Sequence, residues 1–360
     1  MSSRNSFETI VASVEPARSR GDQGFSLLRF LSGLLRARPG AAERRRLQQE
    51  LAALREEMFH IRAELALLRS RYAHGRRESF SVTELLRLGN RREVEAVIRA
   101  HTQSLVLADG TLLCRVLARH KLLVDGADAG IGPHLLLDGF WEYWVTEFVA
   151  RNLGRGETAF DVGAGYGYYS LLFADLVGPE GRVRAFEPNP RAHALLARSL
   201  MLNGMSQASA HAVAVCARGG GTVRLQVPPS TPQSAHILPR DAPEPDSAAG
   251  GLRVYAVPTV ALDDFAEERV DLVKIDAPGA EGEIWRGMQG LITRQQPRLR
   301  ILFDFDARRV PQAARLLEQF ARHFPLRLVE GDGRARPCTA EEVLGRDAAA
   351  MLYLSQVEPR

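Results

Sequence analysis

A seven-residue hydrophobic repeat runs through residues 47–72. Its apolar positions alternate in spacings of four and three residues: Leu47, Leu51, Leu54, Met58, Ile61, Leu65, Leu68 and Tyr72. In a parallel helix pair, residues flanking such a seam face the partner chain, here pairing Glu50 with Arg55, Glu57 with Arg62 and Glu64 with Arg69. The pattern predicts a coiled-coil helix over residues 41–75 and a parallel homodimer through residues 47–72. An amphipathic helix packed on its own domain is the alternative.

The chain before this helix is predicted to be a weakly ordered basic arm covering residues 1–40. Within it, residues 25–38 mix leucines with arginines and predict a short amphipathic helix. Such a helix either makes peripheral contact with a membrane surface or packs on the protein. The segment is interrupted by Arg29 and has no clear cleavage site, so it is not interpreted as a signal peptide.

The chain after this helix is predicted to form a small helical and β-hairpin subdomain over residues 76–134. Two short helices broken at Gly89 are followed by alternating apolar residues that turn at Asp109-Gly110, and "HKLLVDG" adds a further strand. Residues 135–153 then have the period of a helix. The aromatic residues of this helix, Trp141, Tyr143 and Trp144, either form a wall of an acceptor site or belong to the core.

From residue 157 onward, strand and helix patterns alternate along the chain. Seven apolar segments predict strands: "TAFDV", "GRVRAFEP", "SAHAVAV", "VDLVKID", "LRILFDF", "PLRLVEG" and "AAMLYLS". Alternation of this kind predicts an α/β domain over residues 135–360, with a mostly parallel seven-stranded sheet and helices on both faces. Ligands of such sheets bind at the carboxyl ends of the strands.

Composition restricts the environment and the partners. The net charge is +4, yet the first 100 residues hold 19 arginines and 12 acidic residues, so positive charge is concentrated there. This surplus suits anionic lipid or nucleic acid, but it also follows from a general preference for arginine, and no nucleic-acid partner is predicted. Three widely separated cysteines and the lack of a membrane-spanning apolar run predict a cytoplasmic protein, with membrane contact only at its periphery.

The stretch "FDVGAGYGYYS", residues 160–170, is a glycine-rich turn between a strand and a helix. It has no lysine, which excludes a Walker phosphate loop, and its GxGxG spacing departs from the GxGxxG of dinucleotide sites. Asp161 precedes the glycines and suits a cationic ligand better than a pyrophosphate. Glu187 follows Gly163 by 24 residues, at the end of the next strand, where a carboxylate can bind both ribose hydroxyls. These features predict S-adenosylmethionine as the ligand.

Three longer segments resemble the FkbM family of S-adenosylmethionine-dependent methyltransferases. They are "FDVGAGYGYYSLLFADLVGPEGRVRAFEPNP", "VPTVALDDFAEERVDLVKIDAPGAEGEIWRGM" and "PRLRILFDF", and the similarity covers roughly residues 135–355. The resemblance implies a Rossmann-like class I methyltransferase sheet whose last strand is antiparallel, and methyl transfer to oxygen, often a hydroxyl of a sugar or a polyketide. The cofactor site is then expected at Asp161, Gly163, Ala164, Gly165, Gly167, Tyr168, Glu187, Pro188 and Asn189.

Candidate catalytic residues follow the fourth predicted strand. Asp276 is expected beside the reactive methyl group, as general base or acceptor ligand. Lys274 is expected to pair with Asp276 or Glu281, either in catalysis or as a structural ion pair. Asp276 and Asp304 also offer oxygens for one Mg²⁺, as in some class I O-methyltransferases. His236, in the Pro/Ser-rich loop of residues 227–251, is either a base on a lid or a solvated side chain.

The chain departs from the family pattern at two positions. Pro278 replaces a carboxylate that is common in the family, so no catalytic role transfers to it, and Asp304 stands where glutamate is frequent. The leading hypothesis is an O-methyltransferase acting on a sugar, a lipid-linked saccharide or another natural-product hydroxyl. The competing hypothesis is a non-catalytic methyltransferase-fold protein that organises a glycan-assembly complex through its coiled coil.

Overall fold

The structure, a computed structural model, describes residues 49–50, 91–239 and 252–360. Most of the predicted coiled coil, the basic arm and the centre of the Pro/Ser-rich loop lie outside these ranges. Chain contacts separate residues 1–62 from residues 63–360, and the elements from Arg91 onward belong to the second unit. Within the described ranges, none of the helices combines the length and the apolar character needed to cross a bilayer.

From Arg91 onward, the described N-terminal part of this unit contains three helices and a three-stranded antiparallel sheet. In chain order they are α1 (Arg91–His101), β1 (Ser104–Val106), β2 (Thr111–Val116), β3 (His120–Asp125), α2 (Gly132–Leu137) and α3 (Tyr143–Asn152). The hairpin at Asp109-Gly110 and the strand after it are confirmed. The prediction of one continuous helix over residues 135–153 is wrong, because the chain leaves helical geometry between Asp138 and Glu142.

The remaining elements alternate as the sequence predicts, with several additions. They are β4 (Thr158–Val162), α4 (Tyr168–Val177), β5 (Arg182–Phe186), α5 (Pro190–Leu202), β6 (Ala208–His211), β7 (Ala214–Val215), β8 (Thr222–Val227), β9 (His236–Ile237), β10 (Arg253–Val260), β11 (Leu272–Ile275), α6 (Glu281–Arg286), α7 (Gln289–Gln295), β12 (Arg300–Phe305), α8 (Ala313–His323), β13 (Leu326–Val329), β14 (Ala335–Pro337), α9 (Ala340–Leu344) and β15 (Ala350–Ser355). Short 3₁₀ turns occupy Pro232–Ser234 and Leu262–Phe265.

The large sheet has eight strands in the order β14-β13-β15-β12-β11-β4-β5-β6. Strands β12, β11, β4, β5 and β6 are parallel neighbours, and the last strand, β15, runs antiparallel to β12 and β13 as expected. The prediction of seven strands is corrected by β14, a three-residue edge strand that pairs with β13. So short a segment has no visible alternation, and only the turn at Glu330–Gly333 returns it to the sheet.

Each face of the sheet is covered by an apolar layer. One buried cluster joins α3, α4 and α5 to the sheet, and the other joins α6, α7 and α8. Helix α5 begins as the sequence predicts, since the Asn189 side chain accepts a hydrogen bond from the amide of Arg191, and Pro190 occupies the first turn. Asp263 and Asp264, neighbours in a 3₁₀ turn before β11, accept amides of two different elements. Asp264 accepts the amide of Ala261, whereas Asp263 accepts the amide of Leu291 in α7.

A second, four-stranded sheet in the order β7-β10-β8-β9 lies beside the large one. The segment predicted as a single third strand divides between the two sheets, with β6 in the large sheet and β7 paired with β10 in the small one. Strand β10 is long and well paired, and it was absent from the predicted elements. Through β9, this small sheet holds the described beginning of the Pro/Ser-rich loop in a defined position.

Candidate active site

A cavity of about 420 Å³ lies where strands β4, β5, β11 and β12 end. The glycine turn after β4 forms its floor, and Glu187 and Asp276 line it at the ends of β5 and β11. Residues 232–237 and the segment between α2 and α3 form further parts of the wall. A volume of this size, with a mainly apolar lining and a few charged groups, is typical of a small-molecule site.

The glycines of the turn have different tasks. A Cβ on Gly163 would lie 1.9 Å from the carbonyl oxygen of Asp276, and one on Gly167 would lie 2.4 Å from Leu196, so both positions permit close packing within the protein. Gly165 has φ of +56°, and a Cβ there would meet no atom within 4 Å, because the position opens into the cavity. Gly165 is therefore the glycine that lets a ligand approach the backbone.

Glu187 is joined to the glycine turn by its carboxylate. One oxygen accepts the amide of Gly165 at 2.7 Å, and the other accepts the amide of Asn189 at 2.8 Å. Burial raises the pKa of Glu187 to about 7, although these two hydrogen bonds act in the opposite direction. Each oxygen keeps a lone pair that can accept a further proton donor from the cavity side.

Asp161 is near the cavity but does not line it. Its side chain is buried under the turn, where one oxygen accepts the hydroxyl of Ser170 at 2.6 Å and the other has no partner among the described residues. Burial raises the pKa of Asp161, and Lys274 acts against this. Asp161 thus supports the turn from below instead of facing the ligand directly.

Lys274 and Asp276 form an ion pair at the end of β11, in which the lysine is buried and the aspartate side chain is 31% exposed. The Lys274 ammonium lies 3.0 Å from an Asp276 carboxylate oxygen and 4.4 Å from the ring centre of Tyr169. Burial alone would lower the pKa of Lys274, but the carboxylates of Asp276, Asp161 and Glu142 raise it, so the lysine is held in its charged form. The partner of Lys274 is therefore Asp276, one of the two expected.

Glu281 is not brought into this group. Its side chain is buried at the start of α6, one of its oxygens has no hydrogen-bond partner among the described residues, and it does not line the cavity. Burial raises its pKa. The expectation that Glu281 belongs to the catalytic set has no support from this placement.

Asp304 lines the cavity at the end of β12, next to the Lys274–Asp276 pair. Burial, followed by the nearby Asp276 carboxylate, raises the pKa of Asp304 to about 8. Across the described ranges, no cluster of three or more histidine, cysteine or carboxylate side chains has the arrangement of a metal site.

The remaining predicted residues divide between wall and core. Ala164, Tyr168, Pro188, Trp141 and His236 line the cavity. Asn189 instead caps α5, and Tyr143 is buried against Phe140. Cavity residues that the sequence interpretation missed include Glu142, Tyr169 and Arg309. The tyrosine follows the glycine turn and could have been found there, whereas the other two stand in segments with no motif.

The sequence model of the methyltransferase FkbM domain matches residues 161–324, which confirms the predicted resemblance over that span. The methyltransferase sdnD of Sordaria araneosa is 26% identical over 162 residues, which cover 38% of this chain and 62% of that protein. The chain therefore spans less than two thirds of the length of this curated relative.

Solved structures that are similar to this chain include several methyltransferases. Methyltransferase FkbM from Methylobacillus flagellatus KT is 16% identical, with a TM-score of 0.36 and coverage of 55% of this chain and 43% of that one. An S-adenosylmethionine-dependent O-methyltransferase from Thermotoga maritima is 15% identical, with a TM-score of 0.31 and coverage of 60% and 65%.

Proposed function

We propose that this chain, which carries a methyltransferase FkbM domain over residues 161–324, transfers a methyl group from S-adenosylmethionine to a hydroxyl of a sugar or glycan-bearing acceptor. The observation that carries the proposal is one cavity that combines Gly165, Glu187 and the Lys274–Asp276 pair. The first two residues suit an adenosine, and the pair stands where a hydroxyl proton must be removed.

The residues of the cavity fit this cofactor. Glu187 offers its remaining lone pairs to the two ribose hydroxyls, and Gly165 leaves the backbone open to a close approach. The glycine turn contains no lysine or arginine that would bind a phosphate, which favours an adenosine without phosphate groups. When bound, S-adenosylmethionine supplies a methyl group that its sulfonium has already activated.

The acceptor side of the cavity has the character of a sugar site. Trp141 offers an aromatic wall on which the apolar face of a pyranose ring can pack, and His236, Arg309 and Asp304 supply polar groups around it. In this proposal the acceptor hydroxyl lies among these groups and faces Asp276. The combination of one aromatic wall with several hydrogen-bonding groups favours a polar ring over an aliphatic alcohol.

Asp276 accepts the proton that the acceptor hydroxyl loses as its oxygen is methylated. Lys274 holds the Asp276 carboxylate in place at 3.0 Å and is itself fixed against the Tyr169 ring. A metal-assisted version would instead hold Mg²⁺ through the Asp276 and Asp304 carboxylates.

Calorimetry and turnover together test this function. Wild type should bind S-adenosylmethionine and transfer radiolabelled methyl from it to one of a panel of methyl glycosides and lipid-linked saccharides. The Asp276→Asn variant should keep cofactor affinity within a few fold and lose most of the transfer. Absence of cofactor binding at millimolar concentration would refute the enzyme hypothesis and favour a non-catalytic scaffold. Loss of transfer on adding EDTA, with recovery in Mg²⁺, would support the metal-assisted version.

We also propose that the chain is a parallel homodimer through the heptad seam of residues 47–72, a segment outside the described ranges. The support is the sequence pattern alone: an apolar seam supplies association, and glutamate–arginine pairs at its edges select the parallel orientation. The arm of residues 25–38 is proposed, on its composition, as a peripheral membrane contact. Vesicle co-sedimentation with and without anionic lipid tests this second assignment.

A further inference from the structure

We infer that Glu142, which precedes the matched domain, is a cofactor-recognition residue that binds the cationic methionine half of S-adenosylmethionine. The inference rests on the proposed function. Glu142 lines the cavity from the segment between α2 and α3, whereas Glu187, Asp276 and Asp304 reach it from inside residues 161–324. The matched domain alone would thus lack one anionic wall of its own site.

The backbone of Glu142 holds the side chain toward the cavity at a conformational cost. Its φ of 39° and ψ of 63° are left-handed, a region that a residue with a long side chain rarely occupies. The conformation is fixed because the Glu142 carbonyl accepts the amides of Val145 and Thr146 and so begins α3. Residues other than glycine keep a left-handed backbone only where the surrounding structure enforces it, and such residues concentrate at functional sites.

The Glu142 carboxylate is positioned without a cation of its own. The Tyr169 hydroxyl donates to it at 3.3 Å, and the ring of the same tyrosine packs against the Lys274 ammonium. That ammonium is already bound by Asp276 at 3.0 Å. Lys274 attracts Glu142 from a greater distance, while burial raises the pKa of Glu142. A cationic ligand would supply the charge that Glu142 lacks.

The charges around Glu142 favour a positive ligand at this end of the cavity. Asp276 and Asp304 face it from β11 and β12, Asp161 lies beneath, and Lys274 is the cation among them. The carboxylates of Glu142, Asp276 and Asp161 outnumber the Lys274 ammonium, and Arg309, which also lines the cavity, pairs with Asp306. Glu187 is assigned to the ribose, and the inference places the methionine half, with its ammonium and sulfonium, beside Glu142. The methionine half carries one anionic group, its own carboxylate, beside these two cations.

A ligand series tests the inference without knowledge of the acceptor. Isothermal titration calorimetry measures the affinity of the protein for three ligands: S-adenosylmethionine, S-adenosylhomocysteine and 5′-methylthioadenosine. S-adenosylhomocysteine lacks the sulfonium charge, and 5′-methylthioadenosine lacks both this charge and the amino-acid group. Glu142→Gln should lower the affinity for S-adenosylmethionine about tenfold or more, which is the effect of losing a hydrogen bond to a charged group. Binding of 5′-methylthioadenosine should stay within about twofold of wild type. The response of S-adenosylhomocysteine locates the contact: weakening indicates the ammonium, and no change indicates the sulfonium.

Two controls separate this role from a structural one. Glu147→Gln removes a carboxylate of α3, the helix that Glu142 precedes. Glu147 pairs with Arg151 and does not line the cavity, so this substitution should leave all three affinities unchanged. Thermal unfolding of both variants checks that they fold. Equal weakening of all three ligands by Glu142→Gln, or no weakening of S-adenosylmethionine, would overturn the inference. Wild type that binds none of the three would instead refute the proposed function.

Discussion

Replacing Lys274 with methionine tests how strongly the buried charges of the site depend on one another. Lys274 is 1% exposed, and its ammonium contacts the Asp276 carboxylate and the face of Tyr169. Methionine fills a similar volume without charge, so the substitution leaves Asp161 and Asp276 without their shared cation. Removing one partner of a buried ion pair costs about 3–5 kcal/mol, and Asp276 is partly exposed to the cavity, which places the expectation near the lower value.

The expected loss is about 3 kcal/mol in the free energy of unfolding, or a decrease of roughly 6–12 °C in Tm for a domain of this size. Circular dichroism during urea and thermal unfolding measures both quantities. The chain contains one other lysine, Lys121, which is exposed on β3, and Lys121→Met is the matched control. A surface substitution of that kind should change stability by less than about 0.5 kcal/mol.

The pH dependence of this loss distinguishes charge from packing. Because the folded-state pKa of Lys274 is raised, its contribution in wild type is complete below about pH 10.5 and is lost only as pH rises through the folded value. In the Lys274→Met variant, the buried Asp161 carboxylate loses its cation, and its pKa, already raised by burial, rises further. The stability deficit should therefore narrow as pH falls and Asp161 is protonated. A deficit that is below about 1 kcal/mol, or equal at every pH, would refute the charge argument.

Three further predictions concern the turn, the ribose site and assembly. Gly163→Ala should abolish cofactor binding and destabilise the fold severely, because the new Cβ would lie 1.9 Å from a backbone oxygen. Gly165→Ala should lower the free energy of unfolding by only about 1–2 kcal/mol, the strain of a left-handed alanine. Urea unfolding of the two variants measures this difference. Affinity for S-adenosylmethionine, measured by calorimetry, should fall roughly tenfold from pH 8 to pH 6, because Glu187, with a pKa of about 7, is protonated and loses a hydrogen-bond acceptor. In the Glu187→Ala variant, affinity should change much less over the same pH range. Substituting both Leu54 and Ile61 with glutamate should give a monomer by light scattering that still binds the cofactor, and an unchanged mass would refute the dimer.

Much of the fold follows from local sequence patterns. The alternation of strands and helices after residue 157 is recovered because each buried parallel strand is a continuous apolar run and each helix has its own start signal, as at Asn189-Pro190. Strands β10 and β14 escaped prediction. The first follows a Pro/Ser-rich loop that masks its pattern, and the second is three residues long and depends on its partner for its structure.

Some residues of the candidate site could also be predicted from the sequence, and others could not. The places of Gly165 and Glu187 in the cavity were predictable, because each follows the end of a strand in one strand-turn-helix-strand unit. Glu142 was not predictable, since its place in the cavity depends on a break in a helical pattern that looks continuous. The sequence also placed Glu281 near the chemistry, and packing at the start of α6 directs it elsewhere.

What the sequence determined by itself is the set of interactions made within a few residues: the conformation of the glycine turn, the cap of α5 and the apolar periods of the strands. The tertiary structure decided which charged side chains meet. Asp161 and Lys274 are more than a hundred residues apart, yet they are opposite one another in adjacent strands β4 and β11. Their mutual effect on protonation depends on distance and burial in three dimensions, and these quantities exist only after the sheet has formed.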